Sequence, residues 1–345
     1  MKHKGIIINS ILTLLLILLA VANLLYGSVS IPADQVVKAL LGIPLENESW
    51  GYIIMESRLP ETATALFCGA SLATSGLLLQ TYFRNPLAGP SILGITSGAS
   101  LGAAIIMLFM GGIVITGGAS LYGNADNMQI SGSLAVTIGA FAGATAVIVL
   151  LLALSRMVRS NLVLLIVGIM LSYLTSAAVA LLNFFADTEN VHNYVMWGMG
   201  SFSDVSMQQL PWFCTVNIIG LMLAVTLIKP LNAILLGDDY AQNLGINLRH
   251  IHRCLLIATG ILTAICTAFC GPIAFIGLAV PHIARLLTST ADHAVLLPAT
   301  ILTGACLTLL CNIICVMPEN TIIPINAITP IFGAPVILYV ILKRR

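Results

Sequence analysis

Charge is what this chain has least of. Lys and Arg number 14 and Asp and Glu 13 among 345 residues, so 8% of the sequence is charged, where a soluble domain carries roughly a quarter. The formal net charge of +1 leaves no basic field for holding nucleic acid. The sequence has no G-x-x-x-x-G-K-[ST], which excludes nucleotide hydrolysis through a P-loop, and no H-E-x-x-H zinc helix. It has no C-x-x-C pair either. The eight cysteines (Cys68, Cys214, Cys254, Cys266, Cys270, Cys306, Cys311, Cys315) lie almost wholly inside apolar runs. They read as small buried hydrophobes, with no metal site expected. Strongly polar groups are nearly missing from the centres of those runs, where Gln80, Asn183 and Asn312 all fall near ends. A proton- or sodium-driven carrier usually needs a carboxylate at mid-membrane, so this absence weighs against one.

What is present is apolar: 59% of the residues are hydrophobic. The composition implies an all-α integral membrane protein forming a single transmembrane domain over 1–345. The N-terminal stretch imitates a signal peptide, but its apolar part runs from Ile6 to Leu25 with no clear small-x-small cleavage site. It is taken as a first span. A span needs roughly 20 apolar residues, and ten segments qualify: about 6–26, 62–80, 92–112, 130–154, 161–184, 209–228, 251–269, 272–288, 295–316 and 328–342. Pro281 interrupts the eighth and the tenth is short.

An even count puts both termini on one side, and Lys and Arg say which. With the termini cytoplasmic, Lys2, Lys4, Arg84, Arg156, Arg159, Lys229, Arg249, Arg253, Arg285, Lys343, Arg344 and Arg345 are inside. Only Lys38 and Arg58 lie outside. Of the acids, Asp238, Asp239 and Asp292 are inside and the others outside.

Two loops stand out. Residues 229–250, extended to Arg253, hold short helical pieces (Leu231–Leu236, Asp239–Leu244), an acidic pair and flanking bases. This is either a solvated connector or a cytoplasmic docking surface for a soluble partner. On the outer side, 191–203 is too apolar for a plain loop. It reads as a short re-entrant helix, permissible only where protein buries it or it lines a cavity. Another outer piece, I-P-A-D-Q-V-V-K-A-L-L, reads as a short interfacial helix.

Small residues at Gly94, Gly98 and Gly102, with Gly139 and Gly143, have the spacing of close helix contacts. Gly98 to Gly102 also spells G-x-S-x-G around Ser100, but no strand precedes it as a hydrolase elbow requires. His282 and Arg285, beside Pro281, either snorkel at a helix end or brace the docking loop.

Several stretches together resemble one family. They are R-L-P at 58–60, L-L-Q-T-Y-F-R-N-P-L-A-G-P-S-I-L-G-I-T-S-G-A at 78–99 and W-G-M-G-S at 197–201. Further matches are L-L-G-D-D-Y-A-Q-N-L-G-I at 235–246, G-P-I-A-F-I-G-L-A-V-P-H-I-A-R-L-L at 271–287 and G-A-P-V-I-L-Y-V-I-L at 333–342. The chain resembles the permease subunits of ABC importers for iron-siderophores, haem and vitamin B12, the type II importers. The resemblance implies ten transmembrane helices, pairing with a second copy, and a place in the bacterial cytoplasmic (inner) membrane. Two ATPase subunits would dock below, and an extracytoplasmic substrate-binding protein above. ATP and Mg would be bound by the ATPase, with no cofactor and no catalytic residue in this chain. It implies a coupling loop of Gly237, Asp238, Asp239, Ala241, Leu244, Gly245 and Arg249, and a cytoplasmic gate at Ser160 and Asn161. Met196, Trp197, Gly198, Gly200 and Ser201 would line the translocation path. Arg84, Asn85, Pro86, Pro281, His282 and Arg285 belong to the shared structural motifs.

Two departures concern the outer face. Glu61 stands where some members carry a second arginine, and Val316 where another is often found. Arg58 is then carried over for binding-protein docking. Either Lys38 rearranges the pairs, or an acidic face meets a basic partner. Met196, Met199, Trp197 and Phe202 would suit a large cargo with hydrophobic edges, or simply pack helices, and His192 invites a haem-ligand reading. The rival functions are a secondary, ion-coupled transporter and an intramembrane serine protease using Ser100.

Overall fold

A computed structural model describes residues 2–109, 132–158, 161–318 and 322–343. Among them the chain is helical, with no strand, and each of the ten expected segments coincides with a helix. Long apolar runs dictate this, since inside a bilayer a helix satisfies every backbone group from its own segment. Among the described residues, six helices are long and apolar enough to cross a membrane: α1 (Lys2–Leu25), α3 (Glu48–Tyr82), α5 (Gly132–Met157), α6 (Asn161–Phe185), α11 (Leu248–Cys270) and α13 (His293–Val316). The pair α8 (Leu210–Thr226) and α9 (Ile228–Leu235), bent by 47°, makes a seventh if counted as one span. Three further apolar helices are shorter: α4 (Ile95–Phe109), α12 (Ile276–Thr288) and α14 (Ile325–Lys343). The eighth segment therefore differs from expectation. It is helical only from Ile276, after a non-helical turn in which Gly271 and Phe275 both take positive φ.

Three short helices complete the set. α2 (Ala33–Leu40) is the expected interfacial piece, α7 (Thr188–Gly198) covers most of the expected re-entrant segment, and α10 (Asp238–Asn243) follows α9.

α3 is the hub. Asn47 caps it by accepting from the Ser49 N–H at 3.0 Å, and a π-helical segment at Ile53–Arg58 widens the turn just before Pro60, whose ring would crowd an ordinary one. From Pro60 inward it is almost wholly buried, against α13, α11, α12, α8 and α1. Small and hydroxyl side chains permit this. A Cβ on Gly69 would stand 2.3 Å from the Gly304 carbonyl of α13, and one on Gly76 would stand 1.6 Å from the Gly277 carbonyl of α12. Ser71 donates to Asn217 of α8 (2.6 Å) and Thr308 of α13 to the Ala65 carbonyl (2.7 Å). Without water, such contacts and tight backbone packing are what hold helices together.

The G-x-x-x-G expectation is met at a second seam. A Cβ on Gly102 of α4 would lie 2.0 Å from the Gly139 carbonyl, and one on Gly143 of α5 would lie 2.1 Å from the Gly98 carbonyl. Ser100 sits on α4 at this packed seam.

Candidate functional site

At one end of the bundle, where the bases gather, α9 and α10 form a small projecting unit around buried Ala233, Ile234 and Ala241. Gly237, at φ 123°, turns the chain between them, and α10 ends in a Schellman motif. The Ile246 N–H bonds the Ala241 carbonyl (3.1 Å) and the Gly245 N–H the Gln242 carbonyl (2.8 Å), with Gly245 left-handed at φ 82°. Leu235, Leu236, Tyr240 and Leu244 are exposed on this unit, Leu236 by 69%. An apolar tip beside Asp239 and Arg249, both also exposed, has the makeup of a protein-docking surface.

The unit is tied to the bundle by side chains on two sides. Arg84, itself at φ 47°, donates to Asp238 at 2.6 Å. The pair is half-exposed, so its worth is positional rather than energetic. Asn85 closes the turn after Arg84 by accepting from the Leu87 N–H (2.9 Å), and His282 Nε2–H donates to the Pro86 carbonyl (2.7 Å). Arg285 donates to Gln80 at 2.6 Å, and Gln80 in turn to the Leu278 carbonyl. His282 and Arg285 therefore hold the segment that carries Arg84, one step removed from the projecting unit. On the other side Asn232 donates to Asp292 (2.6 Å) and accepts from the His293 backbone N–H (2.8 Å) and ring Nδ1–H (2.9 Å). Asn232 had no sequence signal beyond being an amide in an apolar stretch.

At the opposite end a cavity of about 850 Å³ opens between α5, α7, α11 and the start of α14. Its lining includes Met196, Trp197, Met199, Gly200, Ser201 and Phe202, together with Glu61 and Asp204. Gly198 is close in sequence but not among the lining. The turn after α7 is held by one residue the sequence reading passed over, Asn326. Its Nδ2 donates to the Pro272 (2.6 Å) and Gly198 (3.2 Å) carbonyls, its Oδ1 accepts from the Ala274 N–H (3.0 Å), and its own N–H reaches the Met199 carbonyl (3.2 Å). Gly200 and Gly271, both with positive φ, lie back to back here; a Cβ on Gly271 would stand 2.5 Å from the Trp197 carbonyl. Asn326→Ala strands these side-chain partners, which should cost about 2–3 kcal/mol. A thermal melt of the detergent-solubilised chain measures it, and an unchanged midpoint would dismiss the knot.

Surrounding protein pushes the Asp204 carboxyl above the ordinary carboxylate range, against a hydrogen bond from Ser201 that pulls it down. Asn312, which lines the cavity with Glu61, donates to Asn23 (3.0 Å).

Of the two bases expected to meet a binding protein, only Lys38 reaches the surface. Arg58 is buried at 5% exposure. Its guanidinium donates to the Leu24 (2.8 Å), Leu25 (2.9 Å) and Val29 carbonyls, capping the end of α1. In the single chain the Arg58 guanidinium is thus engaged by the orphan carbonyls at the end of α1, a strong claim on a buried cation. Lys38 is exposed but pairs with Asp34 on its own helix at 3.4 Å. The expected gate falls largely outside the described residues: Ser160 is not among them, and Asn161 only begins α6.

A profile of the FecCD transport family matches residues 14–343. The hemin transport system permease protein HmuU of Yersinia pestis is 34% identical over 337 residues, 96% of this chain and 95% of its own length. The molybdate import system permease protein MolB of Haemophilus influenzae is also 34% identical, over 342 residues, 97% of this chain and 95% of its own. Among solved structures, an inward-facing conformation of a metal-chelate type ABC transporter superimposes with a TM-score of 0.82 at 31% identity. That alignment covers 97% of this chain and 99% of the other.

Proposed function

The chain belongs to the FecCD transport family and has the fold of a type II ABC importer permease, and from that premise we propose that it forms the path of an importer for an iron-siderophore, haem or cobalamin-type cargo. It works as a pair with a second copy of itself, in the bacterial cytoplasmic membrane with both termini inside. Two ATPase subunits bind ATP and Mg below it, and a binding protein delivers cargo from above. The chain does no covalent chemistry.

One observation carries this reading: the projecting α9–α10 unit, apolar at its tip and fastened at its base to the turn after α3 and to the start of α13. A solvated connector needs neither the exposed leucines nor the ties. As a coupling element the unit has both halves of the task. Its tip engages the ATPase, and Arg84–Asp238 and Asn232–Asp292 pass the displacement to helices packed on the hub. ATP binding then biases the equilibrium between arrangements of the path rather than driving a bond-breaking step. Trp197 to Ser201, held by Asn326 at the far end of that hub, are where such a shift would be felt by cargo.

Tagged purification from native membranes in mild detergent, followed by mass spectrometry, tests the reading. A stoichiometric partner carrying a P-loop is the expected result. A homodimer without any ATPase, repeated under crosslinking, would shift the assignment to an ion-coupled carrier.

A further inference from the structure

The charge of the cavity at the acidic end deepens this reading, and the argument rests on the cavity being part of the import path. Among the described residues that line its roughly 850 Å³ there are two carboxylates, Glu61 and Asp204, and no Lys, Arg or His. Glu61 has a compensating charge behind it, since Arg58 lines the neighbouring cavity of about 430 Å³ that shares Glu61. Asp204 forms no ion pair among the described residues. Asp204 is exposed where it lines the cavity, so a cation entering there meets an unpaired carboxylate.

We propose that the cavity receives a metal chelate of net positive charge, with Asp204 as its principal counter-charge and Glu61 as the second. The space is far larger than a bare ion needs and lies within the range of organic ligands. Trp197, Phe202, Phe269, Met196 and Met199 offer apolar contact to a chelate's organic shell, and Asn193 and Ser201 offer hydrogen bonds to its edges. A tetrahedral oxyanion would fill a small part of that space and meet two negative charges. Cargo of the kind named for the MolB relative therefore does not suit this lining.

Trp197 provides a reporter within the cavity. In the full chain, purified with its ATPase into lipid nanodiscs, Trp50→Phe and Trp212→Phe leave Trp197 as the permease's only tryptophan, and the same complex carrying Trp197→Phe as well supplies the background to subtract. The probes are one ferric trihydroxamate in two forms: with its free ammonium (net +1), and with that amine succinylated (net −1). The cationic form should quench Trp197 at about tenfold lower concentration than the anionic form, a preference that shrinks as salt is raised. Asp204→Asn should bring the two forms to within about twofold, and Glu61→Gln should narrow the gap less. Equal or stronger quenching by the anionic form overturns the proposal. So does quenching by neither, or an undiminished preference in Asp204→Asn. Loss of the ATPase during purification, with the charge preference intact, would count against the importer assignment alone.

Discussion

Uptake should fall to background when Gly245 becomes arginine, while the permease remains folded. Gly245 is left-handed at φ 82°, and no atom lies within 4 Å of where its Cβ would stand. A side chain there meets open space, so the fold bears only the local backbone strain, about 1–2 kcal/mol. The strain falls on the Schellman turn that ends α10, which is at the surface and outside the packed hub. What the arginine does disturb is the docking face. It adds a long, solvated cation beside exposed Leu244 and Tyr240, which an ATPase groove would have to desolvate. The matching measurement is transport of labelled cargo alongside size-exclusion profile and ATPase copurification. Normal uptake by a folded Gly245→Arg chain would sink the coupling assignment. Gly245→Ala carries the strain without the charge and should retain much of the uptake, which separates the two effects.

Gly76→Val should instead prevent the chain from folding at all. The Gly277 carbonyl stands 1.6 Å and its Cα 2.8 Å from the position of a Cβ on Gly76, and neither atom is the movable tip of a side chain. α3 and α12 would have to part, and α3 also packs on α13 and α11, so the movement opens the hub on every side. A cost of roughly 3–5 kcal/mol is expected, at the upper end for a single overpacked site. The readout is loss of the monodisperse peak in detergent and degradation in cells. Gly198→Ala is the control: nothing lies within 4 Å of its Cβ, and its elution should match the unsubstituted chain. A well-behaved Gly76→Val protein would show that the two backbones are not in contact.

Both glycines look alike in sequence, and the difference between them marks what a sequence can tell. The ten apolar segments and the helical content of the 229–250 loop were legible because the cost of placing a residue in a helix or a bilayer is local to that residue. The Gly98–Gly102 seam was legible too, because its spacing repeats along one helix and is echoed by Gly139 and Gly143. Gly69, Gly76, Gly277 and Gly304 carry no such repeat. Their contacts depend on which helices become neighbours. The F-R-N-P-L-A stretch around Arg84 pointed to a structural motif through the family resemblance, yet nothing in it named Asp238 as the partner.

Sequence alone therefore determined that this is a helical membrane protein with its bases gathered at one end, and through its motifs it resembled one transporter family. Those features are sums over residues or short spacings. The tertiary structure decided the rest. It turned Arg58 inward onto the end of α1 and trimmed the eighth segment to Ile276–Thr288. It made Asn326 the clasp of the α7 turn, and brought Glu61 and Asp204, far apart in sequence, to one cavity. Each depends on which carbonyl, cation or carboxylate lies within a few ångströms after packing, and in a dry interior those short contacts outweigh any preference of the isolated residue.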